Sequence, residues 1–281
     1  MGKRRILLED FEGFQMITMS DIRKALSGKP NKNTTYVVGH EYPDADSVVS
    51  SIFESVRRSL VYPNQKCLPW TSSLRPEVLS IVGPEIADLT MKVPKFSAYD
   101  RLTLVDCHRY DGANESQVIG VIDHHHVTKP FPAYVALSNE SSWSTTLQIY
   151  IKILGSGFDL DPETSRILAE ATKLEAEPQL MKRRPQIDRL ALERLKTVAG
   201  SGVRDYGALL DLMMVETNPL TLFYKDYRQT TFGFSVIHCK EYINMTTIVQ
   251  QNNLKHHLPL SVIKQVLLST KPLGSPQSGS R

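Results

Sequence analysis

Three clusters of acidic and histidine residues each follow directly on a short apolar run. They are His40, Asp44 and Asp46; Asp106; and Asp123, His124 and His125. Carboxylate and imidazole groups gathered in one place repel one another or stay unpaired unless a cation binds them. Carboxylate oxygens accompanied by a few imidazoles suit Mg²⁺ or Mn²⁺. These residue types therefore predict a site for divalent cations.

The pattern also predicts a reaction. An Asp that gives one oxygen to each of two cations holds them about 3.5–4 Å apart, and such a pair activates a water and clamps phosphate oxygens. The chemistry would be attack of that water on phosphorus, in line with the leaving phosphate. Taken singly, Asp106 could cap a helix and the three histidines at 124–126 could form a solvated loop. Three clusters, each at a predicted strand end, favour the metal interpretation.

The elements that must position these clusters are short strands and helices in alternation. Apolar and β-branched runs predict buried strands over 35–38, 102–105 and 117–122. A helix with one apolar face is predicted through 48–56, and the Ser/Thr run 141–146 is typical of a helix start. This alternation predicts an α/β fold with a parallel sheet, in which ligands bind beyond the carboxyl ends of the strands. All three clusters lie at such ends.

Outside these elements the sequence predicts a short helix between Asp10 and Leu26, and further helices over 164–180 and 187–198. The predicted organisation has four parts. They are an N-terminal helix and linker (1–34), a metal-binding catalytic domain (35–188), a smaller second domain (189–270) and a Pro/Gly/Ser-rich disordered tail (271–281).

Composition places the 281-residue chain among soluble globular proteins, with 41% hydrophobic and 22% charged residues. A net charge of +3 with dispersed basic residues gives no indication of a nucleic-acid partner. The three cysteines, Cys67, Cys107 and Cys239, form no Cys-x-x-Cys pair, so reduced thiols in the cytoplasm are predicted. No apolar run is long enough for a signal peptide or a membrane span.

The order of the motifs resembles the DHH phosphoesterase superfamily. The matching segments are Gly39-His40, Pro43-Asp44-Ala45-Asp46-Ser47, Val105-Asp106 and Asp123-His124-His125. More narrowly, the chain is similar to the branch that contains family II inorganic pyrophosphatases, eukaryotic exopolyphosphatases and prune-type proteins. The resemblance covers residues 35–245. It implies a DHH domain, a smaller α/β DHHA2-like domain, an active site in the cleft between them, and two Mn²⁺ or Mg²⁺ ions.

The same resemblance implies the metal ligands. His40 and Asp44 would bind one cation. Asp46 and His124 would bind the other, and Asp106 would bridge the two. Imidazole and carboxylate ligands are usually oriented by further residues that hydrogen-bond to them.

Catalytic and substrate-binding residues are implied as well. His125 would face the substrate phosphate as an electrophile or proton donor, and Asp123 would orient the His ligands. The segment Lys225-Asp226-Tyr227-Arg228 resembles a basic motif that binds phosphates, with Lys225 and Arg228 as the cations. His126 stands where the pyrophosphatases have Lys or Arg. The resemblance therefore assigns His126 to substrate binding, and the difference from the pyrophosphatases favours an exopolyphosphatase.

The sequence departs from the family pattern in three places. The family's further bridging Asp, followed by Thr, is missing, so Glu175 is the predicted ligand there and Glu177 the second choice. Asp106 is followed by Cys107-His108, where the pyrophosphatases have His-Asn. The second domain ends early in a polar tail, which implies a shortened domain.

The predicted function is that of an exopolyphosphatase, which releases terminal phosphate from polyphosphate with a water activated by two metal ions. A soluble inorganic pyrophosphatase is the first alternative. A prune-like weakly active or regulatory protein is the second, because of the missing Asp-Thr and the shortened end. A phosphodiesterase is disfavoured because the chain lacks the Gly-rich motif of those relatives. Polyphosphate or pyrophosphate is the expected partner, without nucleic acid or membrane, and the sequence leaves the oligomeric state open.

Overall fold

A computed structural model describes most of the first 213 residues. The described ranges are 13–32, 34–41, 43–90, 96–97, 99–112, 114–126, 130–132, 134–139, 141–176 and 185–213, with the strands at 228–229 and 235–236. The chain divides into two compact units, Met1–Val215 and Glu216–Arg281. Nearly all described residues belong to the first unit.

Strands and helices alternate along the first unit. Its strands are β1 (Gln15–Ile17), β2 (Thr35–Val38), β3 (Cys67–Trp70), β4 (Arg101–Val105), β5 (Val118–Asp123), β6 (Ala136–Asn139) and β7 (Phe158–Leu160). Its α-helices are α1 (Met19–Leu26), α2 (Ala45–Val61), α3 (Pro76–Val82), α4 (Pro84–Ala87), α5 (Thr145–Gly155), α6 (Pro162–Glu175), α7 (Gln186–Ala199) and α8 (Tyr206–Met213). In the second unit, β8 (Arg228–Gln229) and β9 (Ser235–Val236) pair antiparallel.

Five strands form one parallel sheet in the order β3-β2-β4-β5-β6. The chain runs from β2 outward to β3 and then returns to the other side of β2 as β4, so the winding direction reverses between β2 and β4. Open α/β sheets bind ligands at such a reversal, beyond the carboxyl ends of the strands. The sheet confirms the predicted parallel α/β fold.

Alternate residues along the strands enter two separate apolar clusters, as the two-residue period of a strand requires. Val37, Val105 and Ile122 pack against the helices on one face of the sheet. Tyr36 and Leu104 belong to a cluster on the other face, which includes the contacting aromatic rings of Trp70, Phe96 and Tyr110. The strands are therefore buried on both sides, which explains their continuous apolar sequences.

The structure differs from the sequence prediction near the N-terminus and at the edges of the sheet. In place of one helix from residue 10, β1 comes first and α1 begins at Met19, because Thr18 and Asp21 form a reciprocal cap at that point. The edge strands β3 and β6 were not predicted. β3 contains Pro69, which sheets accept at edges, and β6 has only four residues.

The predicted domain boundary after residue 188 falls inside α7, whereas the division of the chain into two compact units falls between Val215 and Glu216. Helix α7 packs into the core of the first unit through Ala191, Leu192 and Leu195. The four-part domain organisation stays a prediction, and the tail 271–281 lies outside the described residues. None of the described helices combines the length and the apolar composition that a membrane-spanning segment requires.

Candidate metal centre

The turn after β2 places His40 opposite Asp44. A Cβ on Gly39 would lie 2.0 Å from Ser47 Oγ, so any side chain there would displace that hydroxyl. That hydroxyl accepts the His40 backbone N–H at 3.1 Å, and Asp44 caps α2 by accepting the Ser47 N–H at 3.0 Å. As a result, His40 Nε2 and Asp44 Oδ2 stand 3.5 Å apart.

Asp106, directly after β4, joins two groups of ligand atoms. Its Oδ2 lies 3.4 Å from His40 Nε2, and its Oδ1 lies 3.3 Å from His124 Nε2. The side chain is only 3% exposed, and the backbone has a φ of 58°, in the left-handed region that Asp visits more readily than most residues. Local conformations of this kind collect at functional sites. One carboxylate thus presents one oxygen to each of two imidazoles.

Three carboxylates surround the Nε2 atom of His124. The nearest oxygens are Oδ1 of Asp106 at 3.3 Å, Oε1 of Glu175 at 3.7 Å and Oδ2 of Asp46 at 3.9 Å. Glu175 is the last residue of α6, so the end of that helix brings its carboxylate to the site. The structure therefore places Glu175 beside the predicted ligands.

Asp46 is held by the N-terminus of a distant helix. Its Oδ2 accepts the Thr145 N–H at 2.8 Å and its Oδ1 accepts the Thr146 N–H at 2.9 Å, both from the first turn of α5. Helix N-termini stabilise negative charge through these N–H groups. Ser144 caps the same turn by accepting the Leu147 N–H. The carboxylate keeps further lone pairs for a cation, since each oxygen has two.

Asp123 ends β5 and is bonded to two imidazoles. His125 Nδ1 lies 2.8 Å from Asp123 Oδ1, and His108 Nδ1 lies 3.1 Å from Asp123 Oδ2. The carboxylate is fully buried, whereas the side chains of His125 and His108 are 38% and 31% exposed. His108 was missed by the sequence prediction. Its position two residues after Asp106 is the signal that could have identified it.

The charges of the site depend on one another. Burial alone would lower the pKa values of His40 and His124, but neighbouring carboxylates outweigh it and raise both pKa values to about 10. For His40 these carboxylates are Asp44 and Asp106, and for His124 the main one is Asp106. Burial and the nearby negative charge of Asp106 raise the pKa of Asp46 well above its ordinary value. For Asp44, the effect of burial is outweighed by His40 and by Arg75, a cation after β3, and its pKa is lowered. The centre thus gathers more carboxylates than its imidazoles can balance.

The residues of this centre fit two divalent cations. His124 Nδ1 lies 3.4 Å from the Ser142 carbonyl oxygen, while the buried Nε2 has no well-formed hydrogen bond within the described part of the chain. A neutral imidazole with its proton on Nδ1 would point the Nε2 lone pair at the three carboxylates, which is the arrangement of a metal ligand. Two sets of residues could each hold a cation, because within each set the ligand atoms all lie within 4.8 Å of one another. One set is His40, Asp44 and Asp106, and the other is Asp106, His124 and His125.

Residues 34–175 match the DHH family, N-terminal domain. The chain belongs to the DHH family. The match covers half of the 281 residues and contains all three strand-end clusters. The narrower branch within the DHH family stays a prediction.

Solved structures include a relative in fold. The crystal structure of a Methanococcus jannaschii candidate family II inorganic pyrophosphatase is similar with a TM-score of 0.57 and 19% sequence identity, over 79% of this chain and 80% of that one. At this identity the likeness concerns the fold. No curated protein matches this DHH chain.

The remaining predicted site residues of this DHH protein fall into three groups. His126 is exposed and belongs to neither set of ligand atoms. Lys225 and Glu177 lie outside the described residues. Of Arg228 the structure describes the backbone, which pairs with Val236 across β8 and β9. The substrate-binding roles of His126, Lys225 and Arg228 stay predictions.

Proposed function

We propose that this DHH protein is a metal-dependent phosphoanhydride hydrolase, and specifically an exopolyphosphatase that releases terminal phosphate from polyphosphate. The observation that carries the proposal is the position of Asp106. Its two oxygens lie 3.4 and 3.3 Å from the Nε2 atoms of His40 and His124. A carboxylate shared in this way is what two adjoining cations need, and two-metal sites recur among enzymes that cleave phosphate esters and anhydrides.

His40 and Asp44 would hold one Mn²⁺ or Mg²⁺ ion. His124, with Asp46 and Glu175, would hold the second, and Asp106 would be shared. When bound, the two ions would supply positive charge that polarises the phosphoryl oxygens and makes a nearby water more acidic. The neighbouring carboxylates raise the pKa values of His40 and His124 to about 10, so a cation would compete with a proton for each imidazole.

His125 is the residue we assign to the substrate. Its Nδ1 is hydrogen-bonded to Asp123. Nε2 would therefore donate the proton to the leaving phosphate, or the hydrogen bond to a phosphoryl oxygen. The Asp123 carboxylate can balance the positive charge of the imidazolium, and the exposed part of the His125 ring can reach a ligand. Asp123 itself is fully buried and acts by orienting His125.

The substrate class rests on two kinds of support. The chain belongs to the DHH family and shares its fold with a protein named as a candidate inorganic pyrophosphatase. His126, in the place of the basic residue of the pyrophosphatases, favours longer polyphosphate chains. We also assign Lys225 and Arg228 to phosphate binding, since Arg offers a paired set of donors to phosphate oxygens.

Two alternatives differ in what they require of the centre. A soluble pyrophosphatase would use the same ligands on a shorter substrate. A prune-like regulatory protein would not need the complete set of ligands. The convergence of three carboxylates on His124 favours the enzyme over the regulatory protein. We place the protein in the cytoplasm, in keeping with the free thiols of Cys67 and Cys107.

The test is phosphate release from pyrophosphate and from long-chain polyphosphate, measured side by side with Mg²⁺, Mn²⁺, Co²⁺ or no metal. We expect metal-dependent release from the long chains. Release from pyrophosphate alone would replace the exopolyphosphatase by the pyrophosphatase. Folded protein that releases no phosphate with any metal would overturn the enzyme and leave the regulatory alternative.

A further inference from the structure

The buried Asp123 carboxylate connects two strand ends of the sheet. His108 follows β4 and bonds to Oδ2 of Asp123, and His125 follows β5 and bonds to Oδ1. The result is a row of three side chains, imidazole, carboxylate and imidazole, in which both rings use Nδ1. The His125 backbone N–H also donates to Oδ1, at 3.1 Å.

We propose that His108 is a positioning residue for His125, acting through the Asp123 carboxylate. This inference rests on the proposed function, in which His125 contacts the substrate phosphate. It adds a residue that the DHH triplet does not contain, contributed by the loop after the neighbouring strand.

The physical reason lies in the freedom of the carboxylate. A carboxylate turns easily about its last torsion, and both hydrogen bonds from His125, through Nδ1 and through the backbone N–H, go to the same oxygen, Oδ1. The bond from His108 to Oδ2 holds the second oxygen, and the plane of the carboxylate is then defined from both sides. Gln148 Nε2 also donates to the Asp123 carbonyl at 3.0 Å, which holds the backbone of the same residue. A fixed carboxylate in turn fixes the ring plane and the tautomer of His125.

An alternative role for His108 must be separated from this one. Its ring is 31% exposed, so its Nε2 could contact the substrate directly. A second alternative is that His108 steadies the loop that carries Asp106, two residues earlier, and acts on the metal ions. The three roles make different demands on the side chain, and substitution can tell them apart.

The experiment compares three substitutions of His108 in the full-length, metal-saturated protein. The amide nitrogen of Asn lies close to the position of an imidazole Nδ1, whereas that of Gln reaches the position of Nε2. We expect His108→Ala to lower kcat about tenfold, the lower end of what the loss of a partner beyond the ligands does. The KM and the affinity for Mn²⁺ should change less than about twofold, because the ligands themselves are kept. His108→Asn should recover most of kcat, and His108→Gln should not.

Three kinetic results would overturn the proposal. Recovery by Gln rather than Asn would assign His108 to direct contact with the substrate. A loss of Mn²⁺ affinity that accounts for the whole effect would assign it to the Asp106 loop. An unchanged kcat in His108→Ala would remove any role. In addition, His108→Ala should have no further effect in a protein that already carries His125→Gln, because the two residues act as one unit.

A spectroscopic measurement keeps the inference testable even if none of the substrates is hydrolysed. Long-range ¹H–¹⁵N NMR of histidine-labelled protein at pH 8.5 reports the tautomer of each imidazole, and His125→Gln identifies the His125 signals. We expect the Nδ1–H tautomer of His125 in the wild type and a mixture of tautomers in His108→Ala. The same tautomer in both proteins would contradict the positioning role. Loss of tautomer order without any hydrolysis in the wild type would support the positioning of His125 and overturn only the proposed reaction.

Discussion

The two halves of the metal centre are built in different ways. The half around His40 and Asp44 depends on one turn, in which Gly39 and Ser47 are in contact and the start of α2 is capped. The half around His124 depends on three distant segments. Asp46 accepts N–H groups from residues 99 and 100 positions later, and Glu175 comes from the end of α6.

This difference has a consequence for how each half responds to change. The local half forms once the turn after β2 and the first turn of α2 are in place. The distant half requires the packed fold, because α2, α5 and α6 must all meet. Changes far from the site should therefore affect the proposed second cation more than the first. Among the described residues, only Asp106 belongs to both halves.

The largest effect is expected where the two halves join. Asp106→Asn removes the negative charge that faces both His40 and His124, and we expect kcat/KM for phosphate release to fall at least about 100-fold. The measurement is steady-state phosphate release at saturating Mn²⁺. Asp111→Asn, which alters an exposed carboxylate paired with Arg109, is the matched control and should keep the activity of the wild type. Wild-type turnover in Asp106→Asn would mean that the shared carboxylate has no part in hydrolysis.

A substitution at Gly39 should destabilise the local half. In Gly39→Ala the new Cβ meets Ser47 Oγ, and we expect a loss of about 1–3 kcal/mol in the free energy of unfolding, as for other overpacked sites. Urea unfolding of the metal-free protein measures it. The control is Gly155→Ala at the end of α5, where a Cβ would have no neighbour within 4 Å and should not destabilise. Equal stability of the two variants would contradict the close contact.

The distant half can be weakened without touching the local one. Glu175→Gln takes one charge from the surroundings of His124 Nε2, and we expect about a tenfold loss of affinity for the second cation with the first unchanged. Titration calorimetry with Mn²⁺ separates the two binding steps. Glu163→Gln, an exposed residue at the start of the same helix, serves as the comparison. A uniform loss at both sites would argue against two separable halves.

The smallest effect is expected from a residue that holds a segment next to a metal ligand and is not a ligand itself. Asp188 on α7 accepts hydrogen bonds from Ser142 Oγ at 2.9 Å and from the Trp143 N–H at 2.5 Å, and the Ser142 carbonyl faces His124 Nδ1. Asp188→Asn keeps an acceptor but loses its charge, so we expect about 1 kcal/mol lower stability. The affinity for the second cation should fall slightly more than that for the first. Thermal unfolding with and without Mn²⁺ would reveal the difference, and an identical gain on Mn²⁺ addition in both proteins would contradict it.

The sequence could predict the residues of this centre that follow directly on a strand. Apolar runs followed by His40, Asp106 and Asp123 identify strand ends, and the parallel sheet brings such ends to one edge. The contact between Asp46 and α5 was beyond reach, because nothing local to either segment encodes a partner 99 residues away. His108 was missed because one histidine after a strand has many ordinary explanations.

The most direct test of the account is the electron paramagnetic resonance spectrum of the Mn²⁺-loaded protein. A carboxylate shared by two cations about 3.5–4 Å apart couples their spins, so we predict two Mn²⁺ per chain and the spectrum of a coupled pair. In Asp106→Asn the coupled signal should disappear. A single isolated Mn²⁺ per wild-type chain, or two ions without coupling, would contradict the shared centre and with it the proposed hydrolysis.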